Sequence, residues 1–373
     1  MRPDPHLLTI FIVHNFEHYL RLLTHDMEET MRSIKNSILI LLSAAGCLTL
    51  SPVGAAEICE CGFTIGGDYL YWSPCLSNLH FAAEGQSSFT EESNVSNIVN
   101  YHFIDPDWNG GFRLYLGKED LCGCFDVMAT YTNFSSKCFD SIVNKDPLLS
   151  LTWPTPLPVE YGRYATTDWK IDFQRAELVV GYSIEFGKGC GLCLKPFAGA
   201  DYASICQDRI DKMHDVKPIE GDDKNSPVDP SLTNTLTRSL DYKGIGPMVG
   251  IGYDFELFEG LSTFGKASLS LLVGKADIED EQEIFNNGTT TVNVQKYKDK
   301  CVCVPGVHLQ TGLSLKTLVC NKWLLLRAGY EYLQYIHAPS HLMYNTESPG
   351  SFTGLNHNSV TFQGFFGGVA FSF

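Results

Sequence analysis

Basic residues and long apolar runs are what this chain has least of. Lysine and arginine total 27 against 43 aspartates and glutamates, a net charge of −16. Recognition of a phosphate backbone needs clustered Lys and Arg, so nucleic acid is not an expected partner. Outside residues 31–56 no stretch reaches the roughly 18 consecutive apolar residues of a membrane helix, which excludes a helical multi-span protein. Internal repeats and Pro/Gly/Ser linkers are missing, so residues 57–373 are expected to form a single domain. No nucleophile motif stands out, and neither enzymatic activity nor a cofactor is expected. The glycines of Gly244-Ile245-Gly246 and Gly250-Ile251-Gly252 precede no helix, so they are not a phosphate-binding loop. Cys190 and Cys193 form a Cys-x-x-Cys without a second pair, and Pro339 interrupts the His337/His341 spacing, so no metal site is expected.

What the chain has in abundance is a period of two. Apolar residues alternate with polar or small ones through 63–72, 111–117, 125–132, 175–186, 245–257, 266–274, 306–316, 323–332 and 359–373. In the last of these, Phe365, Val369, Phe371 and Phe373 share one face, and Gly364, Gly368, Ala370 and Ser372 the other. Each segment approaches the roughly 9–11 residues with which a tilted strand crosses a bilayer. Alternation alone also fits a soluble sandwich, whose apolar face closes on a protein core. Strand length, an export signal and the aromatic terminus favour an all-β antiparallel transmembrane barrel of about 12 strands, drawn from 10 to 12 good segments. On this reading lipid touches Val369, Leu326 and Leu178. Short periplasmic turns are expected near 118–123, 187–191, 258–262 and 318–322. Long extracellular loops are expected over 85–108, 134–167, 206–235, 278–299 and 337–357. Tyr71, Trp72, Trp108, Trp169, Trp323 and Tyr335 flank apolar stretches and suit the two interfacial girdles.

Residues 31–56 have the form of a secretory signal. Arg32 and Lys35 are followed by the apolar run from Ile38 to Leu48 and by Gly54-Ala55-Ala56 before Glu57. Residues 1–30, with five acidic side chains, do not fit such a signal and are expected to be a misassigned extension. Export suits the cysteines, since twelve of the thirteen remain once Cys47 leaves with the signal. They are Cys59, Cys61, Cys75, Cys122, Cys124, Cys138, Cys190, Cys193, Cys206, Cys301, Cys303 and Cys320, all disulfide candidates. Staples within the chain and bonds between neighbouring proteins stay open as alternatives, because twelve cysteines allow very many pairings.

The charges on the polar strand faces are the candidate lumen lining: Arg113, Asp126, Arg175, Glu177, Glu185, Asp254, Lys266, Lys316, Arg327 and Glu331. Such charges select ions and small polar solutes in an open pore. Alternatively they pair across strands and plug a narrow barrel.

The opening strand and its return, Gly66-Gly67-Asp68-Tyr69-Leu70-Tyr71-Trp72-Ser73-Pro74 followed by Leu79-His80-Phe81-Ala82, resemble the Legionella-type major outer membrane protein family. The resemblance extends through Gly329-Tyr330-Glu331-Tyr332 to Phe373. It implies a cysteine-rich, pore-forming protein integral to the bacterial outer membrane, cross-linked to neighbours, and it brings no catalytic residues. The expected function is a porin for passive diffusion of ions and small hydrophilic solutes, with outer-membrane lipids, a homo-oligomer or disulfide-linked envelope proteins as partners. The alternative is a structural or adhesive, disulfide-cross-linked protein with a filled lumen.

Overall fold

The computed structural model describes residues 62–76, 79–85, 99–121, 125–143, 149–151, 162–186, 191–216, 229–258, 260–286, 288–319, 322–344 and 352–373. All of them lie in one compact unit, Cys59–Phe373. The export signal and the 1–30 extension lie outside the described residues.

Fourteen strands follow in order: β1 (Phe63–Leu76), β2 (His80–Gly85), β3 (Val99–Phe103), β4 (Asn109–Leu121), β5 (Phe125–Val143), β6 (Leu149–Leu151), β7 (Tyr164–Tyr182), β8 (Ile184–Phe186), β9 (Leu192–Val216), β10 (Asp229–Phe258), β11 (Leu261–Asn286), β12 (Thr289–Val319), β13 (Lys322–Tyr344) and β14 (Phe352–Ser372). The large antiparallel sheet runs β1-β4-β5-β7-β9-β10-β11-β12-β13-β14 and closes because β14 pairs with β1, Thr64 opposite Ser372 and Leu76 opposite Val360. The short β8 prolongs the β7 edge against β9, so the ring has ten staves, the lower end of the expected range. Closure leaves no sheet edge to hydrogen-bond with lipid. A second sheet, β3-β2-β6, sits apart from the ring order.

Alternation sorts the side chains by solvent. Outward positions expose Ile65 and Tyr69 on β1, Leu114 and Leu116 on β4, Leu178 and Val180 on β7, and Val249 and Ile251 on β10. Leu178, Leu326 and Val369 are 54%, 42% and 39% exposed, as a lipid-facing assignment requires. Across five neighbouring strands the apolar band ends on one hydrogen-bonded row, Tyr131, Ala176, Tyr202, Ile245 and Val273. The next outward row is Asn133, Gln174, Ser204, Lys243 and Lys275. Strands of 25 to 31 residues, β9 to β12, are far longer than a bilayer requires, so they rise above the membrane with polar outer faces. Much of 206–235 and 278–299 is therefore strand where the sequence suggested loop: Thr233 pairs with Phe285 and Asn286 with Thr289.

The short turns depend on glycine in one clear case. Gly260, between β10 and β11, has φ +80° and a Cβ there would lie 2.7 Å from the carbonyl of Lys316. That carbonyl belongs to the strand the turn packs against, and the Gly260 carbonyl accepts from the Lys316 N–H at 2.7 Å.

The outward band carries a direct consequence. Leu326 pairs with Val369 and Leu315 in the middle of the apolar face. Leu326→Arg is expected to cost about 2–4 kcal/mol, the penalty of a cation on the lipid face of a barrel. An exposed site in water would lose no more than about 0.5 kcal/mol. The urea midpoint of the protein folded in lipid vesicles distinguishes the two.

Candidate functional site

Inward positions build three layers inside the ring. The layer nearest the short turns is a cavity of about 310 Å3, lined in part by Glu119, Asp126, Lys195, Asp254, Tyr253 and Gln310. Lys195 approaches Asp126 at 3.6 Å, and Ser183 donates to the same carboxylate at 2.9 Å.

The middle layer is a largely buried network of charge, several of whose members also line the inner end of this cavity. Arg175 on β7 binds Asp201 on β9 through two bonds, of 2.9 and 3.1 Å, and reaches Glu177 at 3.1 Å. Its third contact, 3.0 Å to His308 Nδ1, goes to β12, four staves away around the ring. His308 Nε2 lies 3.1 Å from Glu331, both of whose carboxylate oxygens accept from Arg113 Nη2 at 2.8 Å. An arginine donates only, so Nδ1 of His308 accepts and its Nε2–H donates to Glu331. Asp68 accepts from Arg327 at 2.8 and 2.6 Å and from Arg113 at 3.4 Å. Lys266 joins Glu177 to the set at 3.0 Å. Buried charges of this kind persist only when paired and hydrogen-bonded.

The upper layer is aromatic. Phe173 on β7 stacks on Phe362 of β14 with ring centroids 4.4 Å apart. Trp72, Phe134 and Tyr335 complete the group, with Trp72 5.4 Å from Phe134 and Phe173 5.8 Å from Tyr335. β7 and β13 lie five staves apart in a ring of ten, so Phe173 and Tyr335 meet across the full diameter. Leu79, Phe81 and Ala82, from the segment around β2, belong to the same buried cluster.

Six of the ten candidate charges therefore converge on the network: Arg113, Arg175, Glu177, Lys266, Arg327 and Glu331. Asp126 and Asp254 line the cavity. Glu185 and Lys316 are exposed beside the short turns, Lys316 over the ring of Trp323 at 4.8 Å. Asp68, Asp201 and His308 are equal members that the sequence reading did not single out. Asp68 and His308 were legible by parity, since they share the polar face of their strands. The aromatic girdle needs correction too. Trp72, Trp169 and Tyr335 are buried inside the ring at 1% exposure or less, whereas Tyr71, Trp108 and Trp323 are exposed. Neighbouring residues on a strand point to opposite faces, so Tyr71 and Trp72 cannot both belong to the girdle.

Six cysteines are described, Cys75, Cys138, Cys193, Cys206, Cys301 and Cys303, and all are free thiols. Cys59, Cys61, Cys122, Cys124, Cys190 and Cys320 lie outside the residues whose side chains are described.

Above the aromatic layer the ring holds a second polar group. His341 Nε2 accepts from Asn356 at 3.2 Å, so its Nδ1–H donates to Ser340 Oγ at 3.1 Å. Burial, then the nearby cations Arg238 and Arg209 and the ring of His80, push His341 down to about 3. The unfolded imidazole protonates near 6.5, so the unfolded chain binds the extra proton first as pH falls. The stability His341 provides is complete above pH 6.5 and is lost on acidification toward 3. Relative to a His341→Gln variant, the wild-type unfolding free energy is expected to fall with a slope approaching about 1.4 kcal/mol per pH unit between pH 6 and 4. Asp280, raised chiefly by burial, is present in both proteins and cancels from the difference. Urea titrations across that range measure it.

A closed antiparallel ring with a lipid-facing band, short turns at one end and strand extensions at the other defines an integral β-barrel of the bacterial outer membrane. Within that class the chain belongs to the Legionella pneumophila major outer membrane protein family, whose profile matches residues 59–373. Solved structures similar to it are outer-membrane barrels at very low identity. The outer membrane protease OmpT of Escherichia coli is 11% identical, covering 86% of this chain and 100% of that one, with a TM-score of 0.42. OprG of Pseudomonas aeruginosa is 9% identical, covering 84% and 96%, with a TM-score of 0.28. No curated protein matches the chain.

Proposed function

We propose that this protein is a sealed structural barrel of the outer membrane, which anchors its extracellular strand extensions and links laterally to neighbouring envelope proteins. The observation that carries this reading is the contact between opposite walls, Phe173 on Phe362 and Arg175 on His308. An open diffusion pore keeps water where these side chains meet. The thiols add to it. Cys206 is on β9, Cys301 and Cys303 on β12, and Cys75 on β1, with three or four strand-to-strand steps between successive groups around the ring. Strands are about 4.8 Å apart, so these groups exceed the 4.4–6.8 Å Cα separation of a disulfide. These groups do not pair with one another, which leaves them open to bonds with other chains or with cysteines outside the described residues. The porin reading draws on the charged cavity at the short-turn end, which runs part of the way into the lumen. Swelling of proteoliposomes in small sugars separates the two. A sealed barrel swells no faster than empty liposomes, and a porin swells them at a rate that falls with solute size. Non-reducing gels of intact envelopes, thiols blocked before lysis, test the lateral links. High-mass species that collapse with reductant support them, and a monomer alone rejects them.

A further inference from the structure

We propose that the outer wall of β10 and β11 carries a binding site for the phosphate-bearing headgroup of an outer-leaflet lipid. Lys243 and Lys275 stand directly opposite each other on these two strands, both exposed. Same-face residues in such a pair have Cβ atoms about 5 Å apart, and like charges there repel. The next row outward supplies Asp241 opposite Asp277. Asp241 is taken by Lys243 at 2.5 Å and Asp277 by Lys298 at 3.5 Å. Lys275 is left with no ion-pair partner among the described residues. Lys275 therefore presents uncompensated positive charge beside a Lys243 already held by Asp241, in a chain whose net charge is −16.

Height selects the ligand. One row toward the membrane the opposed residues are Ile245 and Val273, the last of the apolar band. The two ammonium groups thus lie where hydrocarbon gives way to headgroups, on the wall that faces lipid rather than the lumen. Below them Ala200 faces Pro247 and Ala198 faces Val249, with Leu178 beside Ala200. The small side chains of Ala198, Ala200 and Pro247 lower the wall between taller neighbours, a track for one acyl chain. A phosphate bridging the two lysines relieves their repulsion, and the chain below makes a lipid rather than free phosphate the occupant. The site stands on the barrel's lipid-facing band and is independent of whether the lumen is sealed.

Native mass spectrometry of the full chain folded in detergent, titrated with bisphosphoryl lipid A or with phosphatidylcholine, tests the proposal. Each basic residue at a membrane surface contributes about a factor of five to anionic-lipid affinity. Wild-type protein is expected to hold bisphosphoryl lipid A at least about tenfold more tightly than phosphatidylcholine. Lys243→Gln with Lys275→Gln is expected to weaken lipid A by about thirtyfold and leave phosphatidylcholine unchanged. Lys275→Gln alone is expected to give about a fivefold loss, and it serves if the double variant fails to fold. Equal retention of both lipids, or lipid A affinity unchanged in the variants, overturns the site. Displacement of lipid A by millimolar inorganic phosphate alone overturns the lipid assignment in favour of a free-anion site.

Discussion

Arg175→Met is expected to destabilise the barrel by about 3–5 kcal/mol, the cost of leaving buried charge without its partner. The guanidinium holds Asp201 through two bonds and touches Glu177 and His308 as well. Lys266 stays with Glu177 after the substitution, but Asp201 keeps no cation among these contacts. Asp201 is fully buried, so water does not replace the arginine. A second change, Asp201→Asn, removes the stranded charge and is expected to restore part of the loss. That recovery separates an unpaired charge from a simple packing defect, which a second substitution deepens. Urea unfolding followed by tryptophan emission gives both values.

Phe173→Ala is expected to cost a similar amount, about 3–5 kcal/mol, through lost contact and the cavity left behind. The ring has a full set of neighbours at close range: Phe362, Trp72 and Tyr335. Because these neighbours come from three different staves, none of them adjacent to β7, the loss falls on contacts that tie the walls together rather than on one strand pair. An unfolding midpoint that falls with an unchanged slope in denaturant indicates a stability change without a change of fold.

The barrel itself was readable because lipid on one side enforces a strict two-residue period. Val369, Leu326 and Leu178 could be assigned outward from parity alone. The filling of the lumen was far less readable. A charge on the inner face has the same sequence signature whether it meets water or another charge across the ring. Arg175 and His308 are 133 positions apart, and only closure of the ring brings them together. The aromatic layer was hidden by the girdle rule. Trp72 follows Tyr71 directly, and membership of a strand-end aromatic cluster does not by itself say which face a ring takes. Strand lengths were underestimated for a related reason. Above the membrane the inner faces of β10 and β11 mix Leu236, Leu240 and Ile278 with Arg238, Asp280 and Gln282, so the alternation that marks a strand fades although the hydrogen-bond ladder continues.

Sealing of the lumen is the claim on which the functional reading depends, and single-channel recording in planar bilayers tests it most directly. Protein verified as folded by its heat-modifiable migration is predicted to give a flat baseline over a wide range of applied voltage. Long-lived, uniform conductance steps from the same preparation would contradict it, because ions would then be passing where Phe173 meets Phe362.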